Sequence, residues 1–322
     1  MSEPAGAANT TTNDQARRLA VLDAPSNLGL RPPSPGVVPG TYKAPGALRD
    51  HRLLDRLGAW DAGCITPPRY DRQGWRPGDG VAHASQIAAY SRRLADRITA
   101  LLDAGRFPLV LGGDCSILLG TGLALRRRGR FGLAFLDGHS DFRHPGNSAM
   151  VGAAAGEDLA LVTGRGATEV TDLDGLRPYV RDDDVAVLGI RDDDEYSAEL
   201  AGTAVLVRHV AELRAAGAAA SARAALDRLE RTELDGFWVH VDADVLDPGI
   251  MPAVDSPDPG GLGLDELALV LRALCASPRC VGLQLTVFDP DLDPDGRLAA
   301  ELVDLLTGVL APTAGGGEGA SS

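Results

Sequence analysis

Phe131-Gly132-Leu133-Ala134-Phe135-Leu136-Asp137-Gly138-His139-Ser140-Asp141 is an apolar run that turns, without a break, into a cluster of two carboxylates and an imidazole. A short apolar run bounded by polar turn residues reads as a strand buried on both faces. Working outward, Leu19 to Leu22, Pro108 to Leu111, Val185 to Ile190, Phe237 to Val241 and Val281 to Val287 read the same way. Between them, Ser85 to Ala104, Ile117 to Arg128, Val210 to Glu230, Leu264 to Ala276 and Arg297 to Leu310 carry apolar residues at three- and four-residue spacing, the mark of amphipathic helices. Alternating buried strands and helices predict an α/β fold: a three-layer α/β/α arrangement around a doubly wound, mainly parallel sheet. Functional residues are then expected just beyond the carboxyl ends of strands.

Three strand ends meet that expectation: Leu111-Gly112-Gly113-Asp114-Cys115-Ser116, the Asp137 to Asp141 cluster, and His240-Val241-Asp242-Ala243-Asp244-Val245-Leu246-Asp247-Pro248. Within Asp137-x-His139-x-Asp141 and Asp242-x-Asp244 the ligand-type residues alternate, so an extended backbone would aim them one way. Carboxylates crowded at the end of a buried sheet repel one another and lose hydration unless a cation neutralises them. Oxygen-rich sites with an imidazole suit Mn²⁺ and related ions, and two ions sharing carboxylates can activate one water for hydrolysis. His144 and His240 lack this context and read as structural.

Composition narrows the classes. The chain has 322 residues and 44% apolar content, enough for one large domain, and no apolar run approaches the roughly 20 residues of a membrane helix. Its formal net charge of −14 argues against nucleic acid, which calls for a basic face. Residues 1–17 and 313–322 are poor in apolar residues and read as disordered tails around a domain spanning 18–312. Met1 to Gln15 shows neither a basic nor an apolar leader region, which leads to an expectation of the cytoplasm. The four cysteines have no CxxC spacing and read as mostly reduced thiols. Ser26 to Ala47, rich in Pro and Gly, reads as a long irregular loop.

Over roughly residues 18 to 312 the sequence resembles the arginase/agmatinase (ureohydrolase) family. Residues 112–116 (Gly-Gly-Asp-Cys-Ser) resemble the family's Gly-Gly-Asp-His-Ser, residues 137–141 its Asp-Ala-His-x-Asp, and residues 242–248 its Asp-x-Asp-x-x-Asp-Pro. Met251 to Leu262 resembles the proline-rich loop that follows, and Gly189 to Asp194 a strand-end Gly-x-Arg-Asp segment. The resemblance implies a two-metal hydrolase cleaving a C–N bond of a guanidino, ureido or amidino compound. Cys115, Asp137, Asp141 and Asp242 would surround one metal, and Asp137, His139, Asp242 and Asp244 the other. Asp141 would also hold and deprotonate the attacking water, and Asp194 would contact a substrate amine. A homo-oligomer, trimer or hexamer, is implied as well.

Three departures qualify the transfer. Cys115 stands where the family has a histidine ligand; thiolate is softer than imidazole and moves the preference from Mn²⁺ towards Zn²⁺, Fe²⁺ or Co²⁺. Val287 stands where the family places a guanidinium-binding glutamate, and an unpaired buried guanidinium costs affinity. The segment Val151 to Asp158 lacks the family's proton-shuttle histidine, while Glu157 or Asp158 offers replacement contacts and Arg143 could bind a substrate carboxylate bidentately. A cysteine at the first ligand position also resembles the N-hydroxyarginine hydrolase branch of D-cycloserine biosynthesis, whose less basic substrate suits the missing glutamate. Two other readings remain: a single-metal deacylase of the related histone-deacetylase type, and a non-catalytic arginase-like subunit. Gly112-Gly113-Asp114 is not the GxGxxG turn that a nucleotide-binding Rossmann-like protein needs.

Overall fold

A computed structural model describes residues 17–71, 75–76 and 78–311. The expected tails therefore lie outside the described residues, except Arg17, whose guanidinium lies over the Phe107 ring and donates to the Cys275 carbonyl.

Eight parallel strands form one sheet: β1 (Leu19–Ala24), β2 (Trp60–Cys64), β3 (Phe107–Gly112), β4 (Phe131–Leu136), β5 (Val185–Ile190), β6 (Leu206–His209), β7 (Gly236–Asp242) and β8 (Cys280–Thr286). Their order is β2-β1-β3-β8-β7-β4-β5-β6. β1, β3, β4, β5 and β7 are buried along their whole length, because helices cover both faces of the sheet. Alternate residues feed opposite layers. Leu19 and Val21 belong to the core layer that includes the helices Ala218–Leu229, Leu264–Ala276 and Arg297–Leu310, whereas Ala20 and Leu22 belong to the layer that includes Ala84–Asp103 and Leu118–Arg128. The fold is the expected doubly wound α/β sandwich.

The six strands read from the sequence are the interior ones. β2 and β6 escaped that reading because they are edge strands: one residue of β2 is buried and none of β6 is, so neither is a continuous apolar run. The stretch Val210 to Glu230 is two helices, Val210–Ala216 and Ala218–Leu229, interrupted at Gly217 with φ 88° and ψ 145°, outside helical space. The expected loop from Ser26 ends earlier than anticipated, since Ala44–Asp50 is helical with Pro45 in its first turn, where a missing N–H costs nothing. Leu264–Ala276 and Arg297–Leu310 fall where the periodicity put them. In the former, the Glu266 carboxylate accepts from the Gly263 N–H at 2.7 Å and closes the first turn.

The strand order decides where chemistry can happen. From β3 the chain crosses to β4, leaving a gap that β8 and β7 fill later, so the carboxyl ends of β3, β8, β7 and β4 stand side by side. No described helix is long and apolar enough to cross a membrane. All four cysteines are free.

Candidate metal centre and substrate cleft

Three of those four strand ends, β3, β4 and β7, deliver functional side chains through tight local turns, and β8 offers its last residue, Thr286. After β3, Gly113 passes so close to Ser26 that a Cβ would lie 1.8 Å from its carbonyl oxygen, and the Asp114 N–H donates to that oxygen at 3.0 Å. Asp114 then caps a short 3-10 turn by accepting from the Ser116 N–H at 2.8 Å, which sets Cys115 facing inward and fully buried.

Beyond β4, Asp137 Oδ1 accepts from the His139 N–H at 2.7 Å; beyond β7, Asp242 Oδ1 accepts from the Asp244 N–H at 2.7 Å. These carboxylate-to-backbone turns, rather than the extended backbone expected from alternation, fold the ligand-type residues together. Asp141 completes the cluster at φ 43°, a left-handed conformation that aspartate enters more readily than most residues.

All six expected ligand residues meet at this edge. Cys115, Asp137 and Asp242 offer atoms within 4.8 Å of one another, as do Asp137, His139 and Asp141. Cys115 Sγ donates to Asp242 Oδ2 at 2.8 Å and lies 2.9 Å from the Thr286 hydroxyl at the end of β8. His139 Nδ1 is 2.9 Å from Asp244 Oδ2, and its Nε2 is 3.0 Å from Asp258 Oδ2 on the proline-rich loop. Asp244 Oδ1 accepts from the Gly138 N–H at 3.0 Å, tying the two turns together.

The electrostatics are unbalanced. Among the described residues no lysine or arginine pairs with Asp137, Asp141, Asp158 or Asp242. Burial, then the neighbouring carboxylates, pushes the pKa of Asp137 and Asp141 well above the usual range, and the same two causes act on Asp158 and Asp242. Cys115 is raised too, by burial and then by Asp242 and Asp158. For His139, burial opposes charge on the ring, but Asp244, Asp137 and Asp141 outweigh it and push the pKa up to about 12. Asp137 Oδ2, both Asp158 oxygens and His240 Nε2 are buried without a hydrogen bond of good geometry. Buried acceptors lacking donors, grouped with a thiol and imidazoles, are the surroundings that a divalent cation completes.

His240 and Asp158 were not among the expected ligands. His240 was read as structural, and half of its ring is: it stacks on Phe135 with centroids 4.7 Å apart, and Nδ1 is 2.8 Å from Gln284 Nε2. Its other nitrogen, however, lies 3.9 Å from both Asp137 Oδ2 and Asp158 Oδ2. The signal was available, because His240 and Asp242 are two apart on β7 and so share a face. His144, by contrast, bonds Glu199 at 2.9 Å and the Gly146 N–H at 3.0 Å, holding its own loop.

The cluster forms the floor of a cleft of about 570 Å³. Arg143 and Asp194 both line it. The Arg143 Nε is buried without a partner, and Asp194 accepts from the Ser140 and Tyr196 N–H groups at 2.9 and 3.0 Å. Val287 forms an apolar part of the wall at φ 67°, a strained value for a β-branched residue, while its N–H donates to the Gly113 carbonyl at 2.8 Å.

A family model, described as the arginase family, matches residues 34–308. The chain belongs to the arginase family. It is 30% identical over 231 residues to an arginase of Brevibacillus brevis, covering 70% of this chain and 76% of that one. With an arginase of Bacillus subtilis it shares 29% identity over 305 residues, covering 91% and 98%. The crystal structure of an arginase from Bacillus cereus superposes with a TM-score of 0.80 at 26% identity, over 92% of this chain and 99% of that one. As a member of this family the chain is a metal-dependent hydrolase of C–N bonds in guanidino- or amidino-type small molecules.

Proposed function

We propose that the cluster holds two divalent cations, with Cys115, Asp137, Asp141 and Asp242 around one and Asp137, His139, Asp242 and Asp244 around the other. Mn²⁺ is the ordinary ion for so many carboxylates, and Cys115 widens the choice to Zn²⁺, Fe²⁺ or Co²⁺. The observation that carries this reading is a set of buried carboxylates that no lysine or arginine among the described residues pairs with, opening into a cleft, in a chain of the arginase family. When bound, the ions supply Lewis acidity and a strongly acidified water.

The protein's own residues do the rest. Asp141, at the junction of cluster and cleft, takes the proton of the attacking water. The Asp258 carboxylate fixes the His139 ring from outside, leaving Nδ1 to face the cluster. Arg143, with its unpartnered Nε, meets a substrate carboxylate, and Asp194 meets an amine. Val287 and Ala155 leave the wall apolar where a fully charged guanidinium would need a carboxylate, which favours an altered or less basic guanidino group such as that of N-hydroxyarginine. A homo-oligomer in the cytoplasm, trimer or hexamer, completes the reading.

The test is hydrolysis of arginine, agmatine, guanidinobutyrate and N-hydroxyarginine by protein reconstituted separately with Mn²⁺, Zn²⁺, Fe²⁺ and Co²⁺. Turnover of at least one of them, fastest for the least basic, is expected. No turnover with any metal would sink the hydrolytic assignment and favour the non-catalytic reading. Sedimentation velocity reads the oligomeric state.

A further inference from the structure

We propose that His240 Nε2 and the Asp158 carboxylate are themselves metal ligands, joining Cys115, Asp137 and Asp242 in a buried cation site where His240 supplies the imidazole that position 115 lacks. This rests on the two-cation reading above and adds two ligands to it.

Geometry carries it. Cys115, Asp158 and His240, all fully buried, offer one ligand atom each within 4.8 Å of one another, and Cys115, Asp137 and Asp242 do the same. Nε2 is 3.9 Å from an oxygen of Asp137 and 3.9 Å from one of Asp158. Ligands at about 2.0–2.3 Å from one ion stand roughly 2.8–3.8 Å apart, from adjacent octahedral to tetrahedral positions, so shifts of about an ångström or less would close the Nε2 side of the site.

The unmet bonding points the same way. Both Asp158 oxygens, Asp137 Oδ2 and His240 Nε2 are buried without a hydrogen bond of good geometry, and Nε2 stands equally far from one oxygen of each carboxylate. A purely structural histidine would satisfy both nitrogens, since an unmet buried polar group is destabilising. Here the ring is fixed by Phe135 and Gln284, so that the one nitrogen left over is the one aimed at the carboxylates.

The ring's support also constrains its tautomer. The Thr121 hydroxyl donates to Gln284 Oε1 at 2.7 Å, and the amide nitrogen faces His240 Nδ1. This arrangement puts the ring proton on Nε2, towards the carboxylates. For Nε2 to bind a cation, the proton must sit on Nδ1, and a half-turn of the near-isosteric Gln284 amide presents Oε1 to accept it. Gln284 is therefore a positioning residue, set to hold whichever tautomer the site requires.

The experiment titrates metal-depleted wild-type, His240→Phe and Asp158→Asn proteins with Co²⁺. It reads ions per chain, the dissociation constants, and the thiolate-to-cobalt and ligand-field absorption. Wild type should bind two ions with a thiolate-to-cobalt band. Each variant should weaken one ion by at least ~100-fold, since even the outer partners of metal ligands are worth about 10–100-fold, and should lose or shift that band. Adding Cys115→His to His240→Phe should restore tight binding. Should His240→Phe fail to fold, His240→Gln and the near-isosteric Asp158→Asn carry the decision. Folded variants with wild-type affinities and spectra would overturn the assignment while leaving the two-cation reading intact. Wild-type protein that binds no Co²⁺ would overturn both.

Discussion

Two groups of buried acids sit at opposite edges of the sheet and are treated in opposite ways. At the amino end of β5, Asp184 is fully buried, yet Arg130 reaches it through Nε at 2.7 Å and Nη2 at 2.9 Å, and Arg231 pairs with the same carboxylate. At the opposite edge, Asp137 and Asp242 at the carboxyl ends of β4 and β7, and Asp158 beside them, are just as buried, and no arginine or lysine among the described residues pairs with them. The first arrangement is complete and has nothing further to bind. The second is complete only with a cation from outside, and it opens into a cleft. Burial alone therefore does not separate a structural acid from a functional one; the source of the countercharge does.

The sharpest break between the edges should come from Asp242→Asn. Losing a carboxylate shared by both ions should slow guanidino hydrolysis by about 1,000-fold or more, the equivalent of several kcal/mol of metal-derived stabilisation, with thermal stability of the metal-free protein unchanged or raised. Asp184→Asn should do the reverse. It leaves Arg231 without its carboxylate and Arg130 with Asp183 alone, and should cost about 3 kcal/mol in denaturant unfolding, equally with and without metal, because breaking a buried pair leaves charge uncompensated. If its cost vanished on metal removal, the division between the edges would be false.

Chelation should act on one edge only. Removing each ion, starting from a hundred times its Kd, should lower unfolding stability by ~2.7 kcal/mol in the wild type, with little effect in Asp242→Asn. A smaller effect is expected at the wall of the cleft, where Val287→Glu would supply the absent carboxylate. It should improve KM for arginine over N-hydroxyarginine by about tenfold, the order of one charged hydrogen bond. An unchanged ratio would show that Val287 does not face the guanidino group.

The least effect is expected at the surface pairing of Asp174 with Arg127 at 2.6 Å and Arg92 at 3.1 Å. The Arg127 hydrogen bond, more than its charge, holds the Asp174 pKa below 3.8. A depressed folded pKa gives stability that is present above the unfolded value and lost as pH falls through the folded one. Asp174→Asn should thus cost about 0.5 kcal/mol or less near neutral pH, fade below about pH 3.8, and shrink in salt.

Much of this contrast was legible in the sequence, and the missing parts have physical causes. Interior strands such as Phe131–Leu136 announce themselves because both faces are buried, and the acids after them stand out against that background. β2 and β6 did not, because an edge strand need not be apolar. Asp158 was noted only as a replacement contact, for it opens the short helix Asp158–Val162 and reaches the cluster from a long connection rather than from a strand end. His240 hid inside an apolar run, where its face on β7 mattered more than its neighbours. Asp184 gave no hint of its pairing, since Arg130 and Arg231 join it from positions 54 and 47 residues away.

The most direct test is the number of ions bound per chain, measured by elemental analysis of wild-type protein after saturation with Mn²⁺ or Co²⁺ and removal of free metal. Two ions per chain are predicted, falling in Asp242→Asn and unchanged in Asp184→Asn. A wild-type protein that retains one ion or none would contradict the two-cation centre.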